Sequence, residues 1–181
     1  LGALALIASE REFARAVEGL SPSAQTRTRD VFDRMRTEVT VGQYLDVLAQ
    51  ALPWGLDPRA DEHRARSVIR AKSARYSVEH PVRLGAALAG ADDDALDRCS
   101  AVGLPLGEAF QLRDDLLGVF GDPSVTGKPA GDDLREGKRT VLVARAMQGA
   151  SADDRAVVRT GLGRRDLSEH DVEALRAAVS R

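Results

Sequence analysis

The apolar positions of this chain recur at three- and four-residue steps in one segment after another, which is the period of an α-helix. Around residues 27–50 the recurring positions are Val31, Met35, Val39, Tyr44, Leu45, Leu48 and Leu52. The same criterion predicts further helices over residues 61–78, 82–90, 95–119, 141–147, 152–162 and 168–180. No segment alternates at period two, the period of a strand, so the pattern predicts an all-α fold without a sheet.

Residues with capping and turn preferences predict where these helices begin and end. The expected boundaries are, in chain order, a cap at Thr26, Thr28 or Asp30, an acidic first turn at Asp61 and Glu62, an end or a kink at Pro81 and a cap at Asp94. The glycine- and proline-rich stretch 120–137 is predicted to be a loop. Loops of this length are often functional.

The predicted helix over residues 95–119 is expected to supply much of the core. Its core candidates are Val102, Leu106, Phe110 and Leu117, and Leu112 and Leu116 are expected to point into the bundle as well. The opening apolar run, residues 1–9, is interpreted as a buried helix that begins inside a larger protein. We expect residues 1–181 to form a single all-α domain that is the C-terminal part of that protein.

Composition narrows the class of protein. A chain of 181 residues with 43% hydrophobic residues can bury one core. Its net charge of −2 gives no basic surface for nucleic acid, so none is expected as a partner. No apolar run reaches the roughly 20 residues that span a bilayer. The single cysteine, Cys99, is expected to be half-buried and fits a reducing cytoplasm.

The segment from residue 110 to 140 carries the clearest chemistry. Gln111, Asp114, Asp115 and Gly118 lie at offsets of 0, 3, 4 and 7, which places them on one helix face. Two carboxylates there can hold Mg²⁺, which completes its coordination with water and phosphate oxygens. Lys128 and Lys138 each follow a glycine, which resembles a phosphate clamp without the spacing of a P-loop. Of the pair Asp132-Asp133, Asp132 is favoured as a contributor.

A second polar group lies upstream. Lys72, Ser73 and Tyr76 fall within about one turn of a predicted helix, where a lysine and a hydroxyl suit a diphosphate and a tyrosine can line an apolar channel. A lysine on a helix is also often just solvated. Gly42-Gln43 and Asp46 give another helix a polar face, which ligand contact or a buried hydrogen bond explains equally well.

These elements together resemble the trans-polyprenyl diphosphate synthases, the family of farnesyl and geranylgeranyl diphosphate synthases. The matching block is Phe110-Gln111, Asp114-Asp115, Gly121-Asp122, Gly127-Lys128-Pro129, Gly131-Asp132-Asp133 and Gly137-Lys138-Arg139-Thr140. Upstream, Gly42-Gln43 and Lys72-Ser73 look like the family's Gly-Gln and Lys-Thr elements, in the right order. The resemblance covers roughly residues 1–150 and implies an isoprenoid-synthase helical bundle that forms a homodimer.

The resemblance also implies an activity, namely Mg²⁺-dependent condensation of an allylic prenyl diphosphate with isopentenyl diphosphate to a linear polyprenyl diphosphate. The implied roles are catalytic for Lys72, Ser73, Gln111 and Lys128, substrate-binding for Gln43, Tyr76, Asp132 and Lys138, and metal-binding for Asp114 and Asp115.

Two departures from the family pattern limit this expectation. Position 118 is glycine where the family usually has a third aspartate, and nothing before residue 42 matches the family's first aspartate-rich motif. We therefore expect this chain to be inactive alone, and the family's product-length determinants lie upstream of it. Two alternatives remain at this point: a class I terpene cyclase on the same fold, and a non-catalytic subunit that modulates a prenyl synthase.

Overall fold

The computed structural model describes residues 2–127 and 129–181, and these ranges contain helices and no strand. The α-helices are α1 (Gly2–Ala16), α2 (Pro22–Ala51), α3 (Pro58–Val68), α4 (His80–Leu88), α5 (Asp93–Phe120), α6 (Pro123–Thr126), α7 (Asp132–Glu136), α8 (Val141–Gly149), α9 (Ala152–Gly161) and α10 (Glu169–Ser180). A π-helical segment, Ile69–Glu79, joins α3 to α4. The all-α prediction is confirmed. The stretch 120–137 differs from the predicted loop because it contains α6 and α7.

Several helices begin earlier than their apolar pattern predicts. α2 begins at Pro22, and its cap is Ser21, whose hydroxyl accepts a hydrogen bond from the amide of Ala24. α3 begins at Pro58 behind the cap Asp57. In both helices a proline takes the first turn, where its missing N–H costs no hydrogen bond. The caps predicted inside α2 are therefore wrong, as is Asp94, because Asp92 caps α5. The acidic first turn predicted for the next helix is confirmed at Asp61.

The π-helical segment lies between α2 and α5 at very short backbone distances. A Cβ atom added at Gly42 of α2 would lie 2.5 Å from the backbone nitrogen of Lys72. One added at Gly107 of α5 would lie 2.6 Å from the carbonyl oxygen of Ala74. Only glycine allows this approach, so these two glycines fix the segment that carries Lys72. Pro81 does not end this helical run, because it lies in the first turn of α4.

The main hydrophobic core lies in the C-terminal part of the chain. We call it the C-terminal core; its fully buried members include Val119, Leu134, Val143, Met147, Val158 and Leu175. These residues come from the end of α5 and from α7, α8, α9 and α10. Half-buried Leu112 packs instead against a smaller cluster beside the π-helical segment, which agrees with its predicted direction.

One face of α5 is exposed from the middle of the helix to Leu117, contrary to prediction. The side chains expected in the core have exposed fractions of 68% for Val102, 57% for Leu106, 63% for Phe110 and 43% for Leu117. We call these four residues the α5 stripe. The period of apolar residues predicts which face of a helix is apolar, but it does not say that this chain supplies the covering element.

The apolar start of the chain is exposed as well. Leu4, Leu6 and Ile7 of α1 lie on the surface, so the interpretation of this run as a buried helix is wrong for the chain in this structure. Leu116, expected to point into the bundle, is also exposed. Every helix in the described ranges is too short or too polar to cross a membrane.

Candidate functional site

One cavity of about 530 Å³ brings most of the predicted site residues together. The predicted residues that line it are Lys72, Ser73, Gln111, Asp114, Asp115 and Lys138. They come from the π-helical segment, from the end of α5 and from the connection between α7 and α8. The structure thus joins two groups that lie about 40 positions apart in the sequence.

Other predicted site residues lie elsewhere. Gln43 and Tyr76 have exposed side chains and, like Asp132, do not line the cavity. Lys128 falls outside the described residues, so its predicted role stays a prediction.

The two adjacent carboxylates of α5 have different surroundings. Asp114 is exposed, whereas Asp115 is buried. The Gln111 side-chain amide, one turn earlier, donates to Asp115 Oδ1 at 3.0 Å and reaches Asp114 Oδ2 at 3.5 Å. Burial raises the pKa of Asp115 to about 6, and the neighbouring charges of Asp133 and Asp114 act in the same direction. A cation at this point would relieve the repulsion among these carboxylates.

A third carboxylate reaches this place from α7. Asp133 is buried, and its carboxylate occupies the space next to Gly118, so that a Cβ atom at position 118 would overlap it. Gly118 is therefore not simply a lost ligand, because it makes room for Asp133. The sequence-based preference for Asp132 missed this residue. The glycine at position 118 was the one available signal, but it cannot say which side chain fills the space.

The lysines of the cavity are held by acidic partners. Lys72 Nζ lies 2.5 Å from Asp46 Oδ2, which explains the polar face of α2 by a salt bridge between helices. Lys138 pairs with Asp133 and lies 3.2 Å from Glu136. Burial alone would lower the pKa of Lys138, but these two carboxylates raise it above its ordinary value. Lys138 therefore stays cationic at neutral pH.

Three arginines also line the cavity, and sequence reasoning did not single them out. Arg64 of α3 pairs with Asp61, and Arg139 donates to the carbonyl oxygens of Ala49 and Leu52 at the end of α2. Burial lowers the pKa of Arg139. Arg165, in the loop between α9 and α10, is the third. No spacing in the sequence relates these arginines to the aspartates, because only the fold brings them together.

The donor set suits a cation that needs few protein ligands. Among residues 2–127 and 129–181, no cluster of three histidine, cysteine, aspartate or glutamate side chains forms a ready metal site. Mg²⁺ commonly takes one or two carboxylates and fills its remaining positions with water and substrate phosphate. Asp114 and Asp115 fit that requirement. Burial is the main cause of the raised pKa of Asp115, and a bound cation would favour its ionised form against that effect.

Comparison with known proteins shows the family of the chain. A sequence model described as polyprenyl synthetase matches residues 2–179. The geranylfarnesyl diphosphate synthase of Aeropyrum pernix is 38% identical over 148 residues, which cover 82% of this chain and 43% of the relative. The farnesyl pyrophosphate synthase of Bos taurus is 33% identical over 142 residues, covering 77% and 40%.

A solved structure is similar over the whole fold. The geranylgeranyl pyrophosphate synthase of Corynebacterium glutamicum, complexed with isoprenyl diphosphate and magnesium, has a TM-score of 0.85 and 43% identity. The match covers 99% of this chain and 49% of that chain. This chain spans about half the length of the relatives it matches. Because the family match runs from residue 2 to residue 179, the chain belongs to the polyprenyl synthetase family.

Proposed function

We propose that this chain provides the part of a prenyltransferase active site that binds Mg²⁺ and the diphosphate group of the substrate. The reaction would bond C4 of isopentenyl diphosphate to the allylic carbon of a prenyl diphosphate while the allylic C–O bond breaks. Its products would be a linear polyprenyl diphosphate, inorganic diphosphate and a proton. The observation that carries the proposal is the meeting of Asp114 and Asp115 with Lys72 and Lys138 around one cavity. Similarity to synthases of geranylgeranyl, farnesyl and geranylfarnesyl diphosphate supports the substrate class.

The residues of the cavity have complementary tasks in this proposal. Asp114 and Asp115 would hold Mg²⁺, with Asp133 behind them as a further acceptor for its water ligands. Bound Mg²⁺ would stabilise the negative charge that develops on the departing diphosphate. Lys72 and Lys138 would neutralise the same charge, and they are positioned for it before the substrate arrives. Their salt bridges with Asp46 and Asp133 hold both ammonium groups at the cavity.

The remaining predicted roles are part of the same proposal. Ser73 and Gln111 line the cavity and would border the reacting carbons. Lys128 would contact the diphosphate. Substrate binding by Gln43, Tyr76 and Asp132 stays a prediction, since none of these three residues lines the cavity. The homodimer and the cytoplasmic location also stay predictions.

We further propose that the chain does not turn over by itself. An allylic cation must be kept from water, which requires an apolar enclosure around the prenyl chain. The α5 stripe is apolar but exposed, so it offers one wall and no enclosure. Asp114 and Asp115 also represent only one of the two aspartate-rich motifs that the resemblance implies, because nothing before residue 42 matches the first motif.

A chimera tests the activity directly. In the Corynebacterium glutamicum enzyme, this chain would replace the half to which 99% of it aligns. With allylic diphosphate, labelled isopentenyl diphosphate and Mg²⁺, the chimera should make an elongated linear diphosphate, and the chain alone should make none. The chimera with Asp114→Ala and Asp115→Ala is the control and should be inactive.

Other products would reject the proposal in different ways. Cyclised hydrocarbon from a single substrate would identify a terpene cyclase. A folded chimera without product, together with activation of an intact synthase by this chain, would identify a non-catalytic subunit. Product from the chain alone would contradict its proposed inactivity.

A further inference from the structure

Arg165 differs from the other cations of the cavity because its charge has no partner among the described residues. Arg64 pairs with Asp61, Lys72 with Asp46, and Lys138 with Asp133 and Glu136, while Arg139 donates to backbone carbonyls. Arg165 lines the same cavity without a hydrogen bond or ion pair to any of residues 2–127 and 129–181. An anion could therefore bind its guanidinium without first breaking an existing salt bridge.

The backbone joins the loop that carries Arg165 to the connection that carries Lys138. The two residues lie just after Gly163 and Gly137, whose backbones touch, since a Cβ atom at Gly137 would lie 2.7 Å from the Cα atom of Gly163. The Gly163 amide donates to the carbonyl oxygen of Leu134 at 2.9 Å, and the Gly137 amide donates to the same oxygen at 3.2 Å. Both glycines have positive φ angles, +87° and +75°, which favour glycine. The α9–α10 loop is thus fixed to the connection that carries Lys138.

We propose that Arg165 is a diphosphate-binding residue of this cavity. The inference rests on the proposed function and adds to it a ligand contact from the α9–α10 loop. A guanidinium presents a planar fork of N–H donors that matches two phosphate oxygens, whereas Lys72 and Lys138 act as point charges. In this arrangement the loop adds orientation as well as charge to the binding of the diphosphate.

Arg164 provides a matched control one position away. It has the same side chain, but it donates to Asp166 at 3.2 Å and 2.9 Å and does not line the cavity. Arg164→Ala removes the same net charge from the same loop. If Arg165→Ala lowers the affinity for diphosphate more than Arg164→Ala does, the cause is the position of the side chain at the cavity. Long-range electrostatic attraction alone cannot produce such a difference.

Inorganic pyrophosphate with Mg²⁺ is the probe, and fluorescence of Trp54 is the signal. Trp54 is the one tryptophan of the chain and lines the cavity. Calorimetry gives the affinity, and stopped-flow fluorescence gives the two rate constants. Arg165→Ala should weaken binding about tenfold, as expected for the loss of a charge-assisted contact. The loss should lie mainly in a faster dissociation. Arg164→Ala should bind like the wild type.

The outcomes separate this inference from the proposed function. If the wild type binds pyrophosphate and both variants bind equally well, the assignment of Arg165 is wrong and the proposed function stands. If Arg165→Ala slows only the association of pyrophosphate, the proposed contact between Arg165 and the diphosphate is also wrong. Such a result would indicate only long-range electrostatic attraction. If the wild type itself does not bind Mg²⁺-pyrophosphate, the proposed diphosphate site fails, and the role of Arg165 fails with it.

Discussion

The two parts of α5 have opposite surroundings although their sequences are equally apolar. At its end, Val119 is fully buried among Met147, Leu175 and the rest of the C-terminal core. In its middle, Val102, Leu106 and Phe110 of the α5 stripe are more than half exposed. The comparison shows that an apolar helical pattern predicts which face of a helix can be buried. It does not predict whether the same chain supplies the residues that cover this face.

The candidate site lies where these two regions meet. Asp115 is four residues before Val119, and Gln111 follows Phe110 directly. The packed end of α5 fixes the carboxylates, and the apolar stripe beyond them offers a wall for a hydrocarbon chain. The proposed function needs this division, because its substrate would have a diphosphate head and a prenyl tail.

The largest effect should come from opening the C-terminal core. Leu175 is 1% exposed, so Leu175→Ala should lower the free energy of unfolding by about 2–5 kcal/mol. Leu106→Ala in the α5 stripe removes the same atoms from a side chain that is 57% exposed. It should change the free energy by less than about 0.5 kcal/mol. Equal losses in urea unfolding would contradict the contrast between the two regions.

The next effect concerns the buried carboxylate at the boundary. The folded chain raises the pKa of Asp115 from 3.8 to about 6, so it binds this proton more tightly than the unfolded chain. The resulting stabilisation is complete below about pH 4 and is lost as pH rises to about 6. The difference in pKa corresponds to about 3 kcal/mol.

Asp115→Asn tests this pH dependence. The variant should lose the fall in stability between pH 4 and 6 and should be more stable than the wild type above pH 6. Asp114→Asn, at the exposed neighbour, should keep the fall because Asp115 remains. Chemical unfolding of the three proteins between pH 4 and 7 measures the free energy of unfolding at each pH. Identical pH profiles for wild type and Asp115→Asn would refute the raised pKa of Asp115.

A smaller effect is expected from filling the space at Gly118. In Gly118→Ala the new methyl group would overlap the Asp133 carboxylate and displace it from Lys138. We expect a loss of about 1–3 kcal/mol, as for other overpacked positions. Gly85→Ala in α4 is the control, because a Cβ atom there meets nothing within 4 Å. That change should stabilise the helix by about 0.5–1 kcal/mol. Thermal unfolding that ranks the two variants in the opposite order would contradict this geometry.

The smallest effect on folding should come from the α5 stripe itself. Leu106→Ser and Phe110→Ser together should reduce binding of a hydrophobic dye and self-association at high concentration, because they remove exposed apolar surface. The free energy of unfolding should change by less than about 1 kcal/mol for the two exposed sites together. Unchanged dye binding with a large loss of stability would show that the stripe is buried in solution.

The sequence predicted the helices and the pairing of chemical groups better than it predicted burial. Asp114, Asp115 and Gln111 share a face because of helical spacing, and that geometry follows from the residues alone. Lys72 joins them only because Gly42 and Gly107 let the π-helical segment lie against α2 and α5. Asp133 and Arg165 could not be predicted, because their placement depends on how α7 and the α9–α10 loop pack. The exposure of Phe110 was not predicted, because the apolar pattern of a helix does not tell whether a neighbouring element covers its apolar face.

Binding of Mg²⁺ and diphosphate tests the central claim most directly, and calorimetry can measure it on the chain as it is. At a pH well above 6, where Asp115 is ionised, the wild type should bind inorganic pyrophosphate only when Mg²⁺ is present. The variant with Asp114→Asn and Asp115→Asn should bind it at least about tenfold more weakly. Binding that is equally tight without Mg²⁺, or in that variant, would contradict the assignment of this cavity as a metal-diphosphate site.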